Sequence, residues 1–348
     1  MIFRILTLPV RYTFSKVKKA VGKLGEIKIE PLYAFGNKRH IYVKGRVIEA
    51  YKQSKPSARK NYFQNILGAL RRYAGSSVPD AKVEISYLGV KKVVESDEEG
   101  IIDCVFDSVH YKENEKHKVG FKLIPEEGLT PEKNWTFIPV RQYEEQHHRG
   151  IISDIDDTIL ISNATVLGKK LWLSISKNAY TRRPFPGVSE FYHLLTEGGK
   201  NPVFYVSSSD WNLYDLIRDF LNYRKIPDGP LLLKDFHVNL KNIWKSGGGD
   251  HQHKLEKIEL LFDLYPGMKF ILIGDSGQHD PELYAQVIKD YPGRVLSVYI
   301  RQVKKEMNEA RKILLKQINN SPDSPEMVFV SSTEEAIRHA KSNSLIHS

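Results

Sequence analysis

Apolar and polar positions change rhythm once along this chain. Between about Ile27 and Tyr143 they mostly alternate, the period of a strand with one buried face. Ile41-Tyr42-Val43 and Val47-Ile48 read as one strand running across Gly45. Val83, Ile85 and Tyr87 alternate with polar neighbours; Ile101 to Phe106, then Val119, Phe121 and Leu123, continue the period. Asp97-Glu98-Glu99-Gly100 is a turn signal between two of these strands. One helix interrupts them: Asn61 caps it, Phe63, Ile66, Leu67 and Leu70 line it, and Gly75 follows its end. Strands with regular turns predict a β-sandwich-like domain.

From Gly150 onward strand and helix alternate, the mark of a parallel α/β sheet. The predicted strands are Ile151–Ser153, Val203–Val206, Phe270–Ile273, Val295–Ile300 and Met327–Val330. Val188, Phe191, Leu194 and Leu195 mark one helix, Leu213, Leu216, Ile217, Phe220 and Leu221 the next, and Leu255, Ile258, Leu261 and Phe262 a third. Asp280-Pro281 is a helix start. The expected division is a basic segment 1–25, a sandwich-like domain 26–148, an α/β domain 149–341 and a disordered tail 342–348. His147, His148 and Arg149 fall in the connector and read as polar linker.

Charge changes the picture at the start of the chain. The net charge is +10 over 348 residues. Arg4, Arg11, Lys16, Lys18, Lys19 and Lys23 precede the first acid, Glu26. Val10, Phe14, Val17, Val21 and Leu24 share one helical face. Such a helix suits an anionic membrane surface; a helix packed on the protein itself, or a frayed terminus, is the alternative. No apolar run approaches the roughly 20 residues of a membrane span, and residues 1–25 do not read as a secretion signal. Cys104 is the one cysteine, which excludes an internal disulfide and points to a reducing compartment. The expectation is a cytoplasmic protein, peripheral at the inner membrane surface, with no nucleic-acid partner, because charge beyond the start is well mixed.

Four groups of reactive residues follow predicted strands or open helices. They are Asp154-Ile155-Asp156-Asp157-Thr158, Ser207-Ser208-Ser209, Lys254, and Gly274-Asp275-Ser276-Gly277-Gln278-His279-Asp280. Lys254 follows the run Gly247-Gly248-Gly249-Asp250-His251-Gln252-His253, whose histidines read as part of a mobile loop; Lys245 and Lys257 are nearby alternatives. In parallel sheets ligands bind beyond the carboxyl ends of the strands. Asp154 and Asp156, two residues apart, point to the same side and repel each other unless a cation or proton intervenes. An aspartate can attack phosphorus, and a second acid can protonate the leaving alkoxide. Mg²⁺ takes carboxylate oxygens, while a lysine and a hydroxyl hold phosphate oxygens. Asp157 reads as a turn cap, and Thr158 as a hydrogen-bonding support of the loop.

This order and spacing resembles the haloacid dehalogenase (HAD) superfamily of phosphatases. The resemblance implies Asp154 as nucleophile, Asp156 as acid/base with its backbone carbonyl on Mg²⁺, Ser207 and Lys254 as phosphate ligands, Asp275 as a Mg²⁺ ligand and Asp280 as support of the metal shell, with Asp157, Thr158 and Gly274 shaping the site. A closer resemblance runs through Thr181-Arg182-Arg183-Pro184-Phe185-Pro186-Gly187, Tyr205-Val206-Ser207-Ser208-Ser209, Trp211-Asn212-Leu213-Tyr214-Asp215-Leu216, Leu272-Ile273-Gly274-Asp275 and Tyr299-Ile300-Arg301. These are similar to the catalytic domain of the actin-patch-protein-type phosphatidate phosphatases, whose bacterial members tend to carry a strand-rich domain ahead of the catalytic one. The implied reaction is Mg²⁺-dependent release of phosphate from phosphatidate, with a phospholipid as substrate. Asp210 departs from the proline expected after the serine run.

About four dozen residues separate Thr158 from Ser207, room for a minimal cap over a HAD-type Rossmannoid sheet. Arg182 and Arg183 could meet phosphate or membrane, or simply solvent. A phosphatase for soluble sugar or nucleotide phosphates, and a membrane-binding adaptor with a vestigial site, remain the alternatives.

Overall fold

The computed structural model describes residues 26–49, 77–107, 117–125, 130–131, 134–143, 149–160, 184–234, 252–303, 309–319 and 324–346. The basic segment 1–25, the helix expected from Asn61, the His147-His148 pair, Arg182, Arg183, Lys245 and the glycine-rich run through His251 lie outside these residues. The described residues fall into two compact units, residues 26–143 and residues 149–346.

The first unit is built from two sheets. One has the order β5-β2-β1-β7, with β9 also pairing β1; the other is β4-β3-β6-β8. The strands are β1 (Glu26–Gly36), β2 (His40–Glu49), β3 (Lys82–Tyr87), β4 (Val90–Glu95), β5 (Ile101–Asp107), β6 (Lys118–Leu123), β7 (Thr130–Pro131), β8 (Thr136–Pro139) and β9 (Arg141–Gln142). As the alternation predicts, β2 runs unbroken through Gly45. The Asp97 turn also forms: its Oδ1 accepts the backbone N–H groups of Glu99 and Ile101, each at 2.8 Å. One apolar cluster draws on both sheets, taking Ile41, Val43, Val47 and Phe106 from the first and Val83, Ile85, Val119 and Phe121 from the second. Two sheets sharing one core make a sandwich, so the alternating residues bury one face of each sheet.

The second unit holds a six-stranded sheet of order β12-β11-β10-β13-β14-β15. Its strands are β10 (Arg149–Ser153), β11 (Val203–Asp210), β12 (Leu231–Lys234), β13 (Lys269–Asp275), β14 (Val295–Arg301) and β15 (Glu326–Val330), and every pairing is parallel. Among the described residues the helices are α1 (Val188–Thr196), α2 (Tyr214–Tyr223), α3 (Gln252–Leu264), α4 (Asp280–Asp290), α5 (Glu309–Asn319) and α6 (Thr333–Ser342). None is long and apolar enough to cross a membrane. Ile151, Ile152, Phe204, Ile271, Leu272 and Val298 are fully buried, because helices cover central parallel strands on both faces.

The chain leaves β10 toward β11 and β12 on one side, then returns to build β13, β14 and β15 on the other. The sheet therefore changes direction beside β10, and ligand crevices open at such switch points. β12, α5 and α6 were not anticipated from the sequence. The tail from residue 342, expected to be disordered, is instead anchored as far as Ile346. Leu345 and Ile346 are buried, and Arg149 Nη1 donates to the Leu345 carbonyl at 2.6 Å.

Candidate active site

The first acidic group continues directly from β10. Asp154 N–H donates to the Ile273 carbonyl at 2.9 Å, extending the ladder with β13 by one residue. Ser153 Oγ donates to the Asp154 carbonyl at 2.6 Å and accepts from Tyr192 Oη at 2.5 Å. The chain then folds over: Ile159 N–H reaches the Ile155 carbonyl at 2.9 Å, and Asp157 N–H the Leu160 carbonyl at 2.9 Å. Ile155 and Ile159 are fully buried and pin this loop from beneath. Asp157 takes a φ of +56°, a left-handed conformation in which Asp is among the better-tolerated residues.

Lys254, on the first turn of α3, joins two of the acids. Its Nζ lies 2.9 Å from Asp154 Oδ1 and 2.8 Å from Asp280 Oδ1, and all three side chains are buried. Asp280, at the start of α4, turns its other oxygen to the Asp275 N–H at 3.1 Å. Asp275, at the end of β13, accepts from the N–H groups of Gly277 at 2.5 Å and Gln278 at 3.0 Å. Gln278 Nε2 donates to Asp275 Oδ2 at 3.1 Å and approaches the Asp156 carbonyl at 3.5 Å. Asp154, Asp275 and Asp280 thus bring carboxylate oxygens within 4.8 Å of one another.

One ammonium among three buried carboxylates leaves negative charge in excess. Burial pushes the Asp154 carboxyl well above the usual range; Lys254 opposes this, and the Asp280, Asp275 and Asp156 charges add to it. Asp275 is pushed up to about 7, first by burial and then by Asp280, against its backbone N–H donors. Burial works against the Lys254 ammonium, but Asp154 and Asp280 overcome it and hold the lysine above its ordinary pKa. Such a cluster fits a hard divalent cation, because its donors are oxygens only and a cation relieves the carboxylate repulsion.

A second group forms around Asp156. Ser207 and Ser209, two residues apart on β11, share one side of the strand. Their hydroxyls donate to the same Asp156 oxygen, Oδ2, at 3.4 and 3.0 Å. Ser207 Oγ also accepts the Ser209 N–H at 3.0 Å. His253 Nε2 donates to the Ser207 carbonyl at 3.2 Å, which ties the start of α3 to the end of β11. Thr158 Oγ1 donates to Asp154 Oδ2 at 3.3 Å.

The structure brings Asp154, Lys254, Asp275 and Asp280 into one cluster, and Asp156 with Ser207 into a second beside it. Gly274 sits under the first: a Cβ there would lie 2.6 Å from Asp280 Oδ2 and 2.7 Å from Asp280 Cβ. Sequence reasoning missed the contacts of Ser209, His253 and Gln278. Ser209 was legible from its two-residue spacing to Ser207. His253 acts on a backbone carbonyl, for which no motif exists.

Fold and site together define an α/β unit with a buried acid–lysine centre where a parallel sheet switches direction. Residues 149–302 match the family model described as phosphatidate phosphatase APP1, catalytic domain. The chain is 28% identical over 181 residues to phosphatidate phosphatase APP1 of Saccharomyces cerevisiae, which covers 51% of this chain and 30% of the yeast protein. It is 29% identical over 191 residues to an uncharacterized protein of Schizosaccharomyces pombe, covering 53% and 30% of the two chains. These matches support that family for the segment they span, and the chain spans under a third of the length of either curated relative. A solved carbohydrate esterase aligns over 88% of each chain at 11% identity with a TM-score of 0.21, too weak a likeness to bear on the fold.

Proposed function

We propose that this chain is a Mg²⁺-dependent phosphatidate phosphatase with a HAD-type catalytic domain at 149–341. One observation carries the reading: Lys254 bridges Asp154 and Asp280 in a buried cluster that Asp275 completes. Asp154 presents a carboxylate just beyond the carboxyl end of β10. Its oxygen attacks phosphorus, the ester P–O bond breaks, and an aspartyl-phosphate forms. The departing alkoxide takes a proton from Asp156, whose Oδ2 is oriented by Ser207 and Ser209. Asp156 then takes a proton from the water that cleaves the aspartyl-phosphate, which restores both acids and releases phosphate.

Lys254 and the Ser207 hydroxyl would hold the peripheral phosphate oxygens. Asp154, Asp275 and the Asp156 carbonyl would hold Mg²⁺, with Asp280 fixing Asp275 and Lys254 from behind. The ion supplies neutralisation of charge on the transferring phosphoryl group. The lipid identity of the substrate rests on the family match and on the yeast relative's name. Peripheral membrane contact through residues 1–25, on the cytoplasmic side, belongs to the same reading.

Phosphate release from phosphatidate in mixed micelles, compared with soluble phosphomonoesters and run with and without Mg²⁺, tests it. Faster hydrolysis of the lipid, lost on chelation, is expected; equal or faster hydrolysis of soluble esters would remove the lipid assignment. Asp154→Asn should abolish turnover while the circular dichroism spectrum and Tm stay near wild type, since Lys254 keeps its Asp280 partner. Retained turnover would refute the nucleophilic role.

A further inference from the structure

Among the described residues, the large apolar side chains that stand exposed are Leu88, Val90, Val93, Phe137, Tyr223 and Ile313. Leu88 and Val90 belong to the β3–β4 hairpin, and Val93 and Phe137 to the outer face of the same sheet; Val90 is paired with the buried Tyr87 and so stands on the other face. The hairpin turn itself is anomalous. Tyr87 pairs directly with Val90, so Leu88-Gly89 is a two-residue loop. Both residues have positive φ, +48° and +83°, which fits the type I′ turn where Asn-Gly is the favoured pair. Leucine here is unfavourable twice over: its backbone is left-handed, and its side chain is 40% exposed to water. A local rule broken at an exposed tip points to a functional or a strained position.

The adjoining face repeats the chemistry. Val93 and Phe137 are 61% and 59% exposed. The registers place Val93 and Lys122 on either side of Glu84, and Phe137 opposite Gly120. Phe137 stacks on Trp135, ring centroids 6.3 Å apart. Lys91 and Lys122 each set an ammonium 5.9 Å from the Trp135 ring, and Lys91 also pairs with Glu84 at 2.6 Å. Lysines interleaved with projecting apolar groups suit a bilayer interface, where ammoniums meet anionic headgroups and apolar tips enter the acyl boundary. The core of a protein interface is instead depleted of lysine.

We propose that this face, with Leu88 at its tip and Lys91 and Lys122 among its apolar groups Val93, Trp135 and Phe137, docks on an anionic phospholipid bilayer. The inference deepens the lipid reading above and takes its biological sense from it. The test uses the full chain and vesicles of phosphatidylcholine with or without phosphatidylglycerol, neither of which is the proposed substrate. Its failure is therefore separable from failure of the phosphatase reading.

Wild type should co-sediment more strongly with the anionic vesicles. Leu88→Asn suits the turn, so Tm should hold or rise while vesicle affinity falls about fivefold. The double variant Lys91→Gln with Lys122→Gln should remove most of the preference for anionic vesicles and its salt dependence. Neither variant should alter hydrolysis of a soluble phosphomonoester. Leu88→Asn vesicle affinity equal to wild type would overturn the proposal. So would light scattering showing that Leu88→Asn dissolves an oligomer while vesicle binding persists, because the face would then serve a second copy of the chain.

Discussion

Gly274 shows how little space the acid–lysine cluster leaves. Any Cβ at this position would press on Asp280 Oδ2 at 2.6 Å, and on Tyr284 Cε2 at 2.8 Å. Neither neighbour is a free end: Asp280 is held by Lys254 and the Asp275 N–H, and Tyr284 Oη donates to the Ile273 carbonyl at 2.9 Å. Gly274→Ala should therefore displace Asp280. Overpacking of this kind costs about 1–3 kcal/mol, and loss of an outer partner typically weakens metal affinity about 10–100-fold. A Mg²⁺ titration of activity, read beside Tm, checks this; an unchanged Mg²⁺ requirement would show that Asp280 has no bearing on the metal. At this scale the sequence was informative wherever a residue acts through its own side-chain chemistry. Asp154, Lys254, Asp275 and Asp280 follow their strands or open their helices in readable order. Their mutual hydrogen bonds were not legible, because Lys254 reaches Asp154 only when α3 packs against β11, the strand next to β10.

Elements hold the cluster through two arginines outside it. Arg301 closes β14, donates through Nε to the Thr158 carbonyl at 3.1 Å and through Nη2 to Thr333 Oγ1 at 3.0 Å, and lies 4.1 Å from the Phe185 ring centroid. Arg311 on α5 bonds the carbonyls of Ser276 and Gln278, and pairs with Glu282 through Nε at 2.6 Å. It thus spans the loop that carries Asp275 and the first turn of α4. Arg311→Met keeps the stem and removes five donors. The loop should loosen, kcat should fall with a raised Mg²⁺ requirement, and KM for a soluble ester should change little, because Arg311 touches no proposed phosphate ligand. A change confined to KM would place Arg311 in substrate binding instead. The α5 contribution was invisible in the sequence, since nothing in Glu309 to Asn319 signals partners 29 to 35 positions earlier in the chain rather than on the helix. β12 escaped for another reason: Leu231-Leu232-Leu233 is short, lacks β-branched residues, and becomes a strand only because β11 offers it a parallel edge. The central strands were legible because burial on both faces writes continuous apolar runs.

The two units have separate sources of stability. The apolar cluster of the sandwich is drawn from residues between Ile27 and Leu123, while the α/β unit buries its own strands beneath its own helices. Units with their own cores unfold as separate transitions unless an extensive interface couples them. Mg²⁺ should act on only one. A ligand that binds the native state alone stabilises it by about 2.7 kcal/mol at a hundredfold excess over Kd. For a unit of roughly 200 residues that amounts to an upward shift of about 5–10 °C. Calorimetry of the full chain should therefore show two transitions, one rising with Mg²⁺ and one fixed. Asp275→Asn should abolish the rise without moving the fixed transition, because it removes a proposed ligand from the α/β unit and leaves the sandwich core intact. A Mg²⁺ shift that survives Asp275→Asn would place the ion elsewhere, and a single transition would mean that the units fold as one cooperative body.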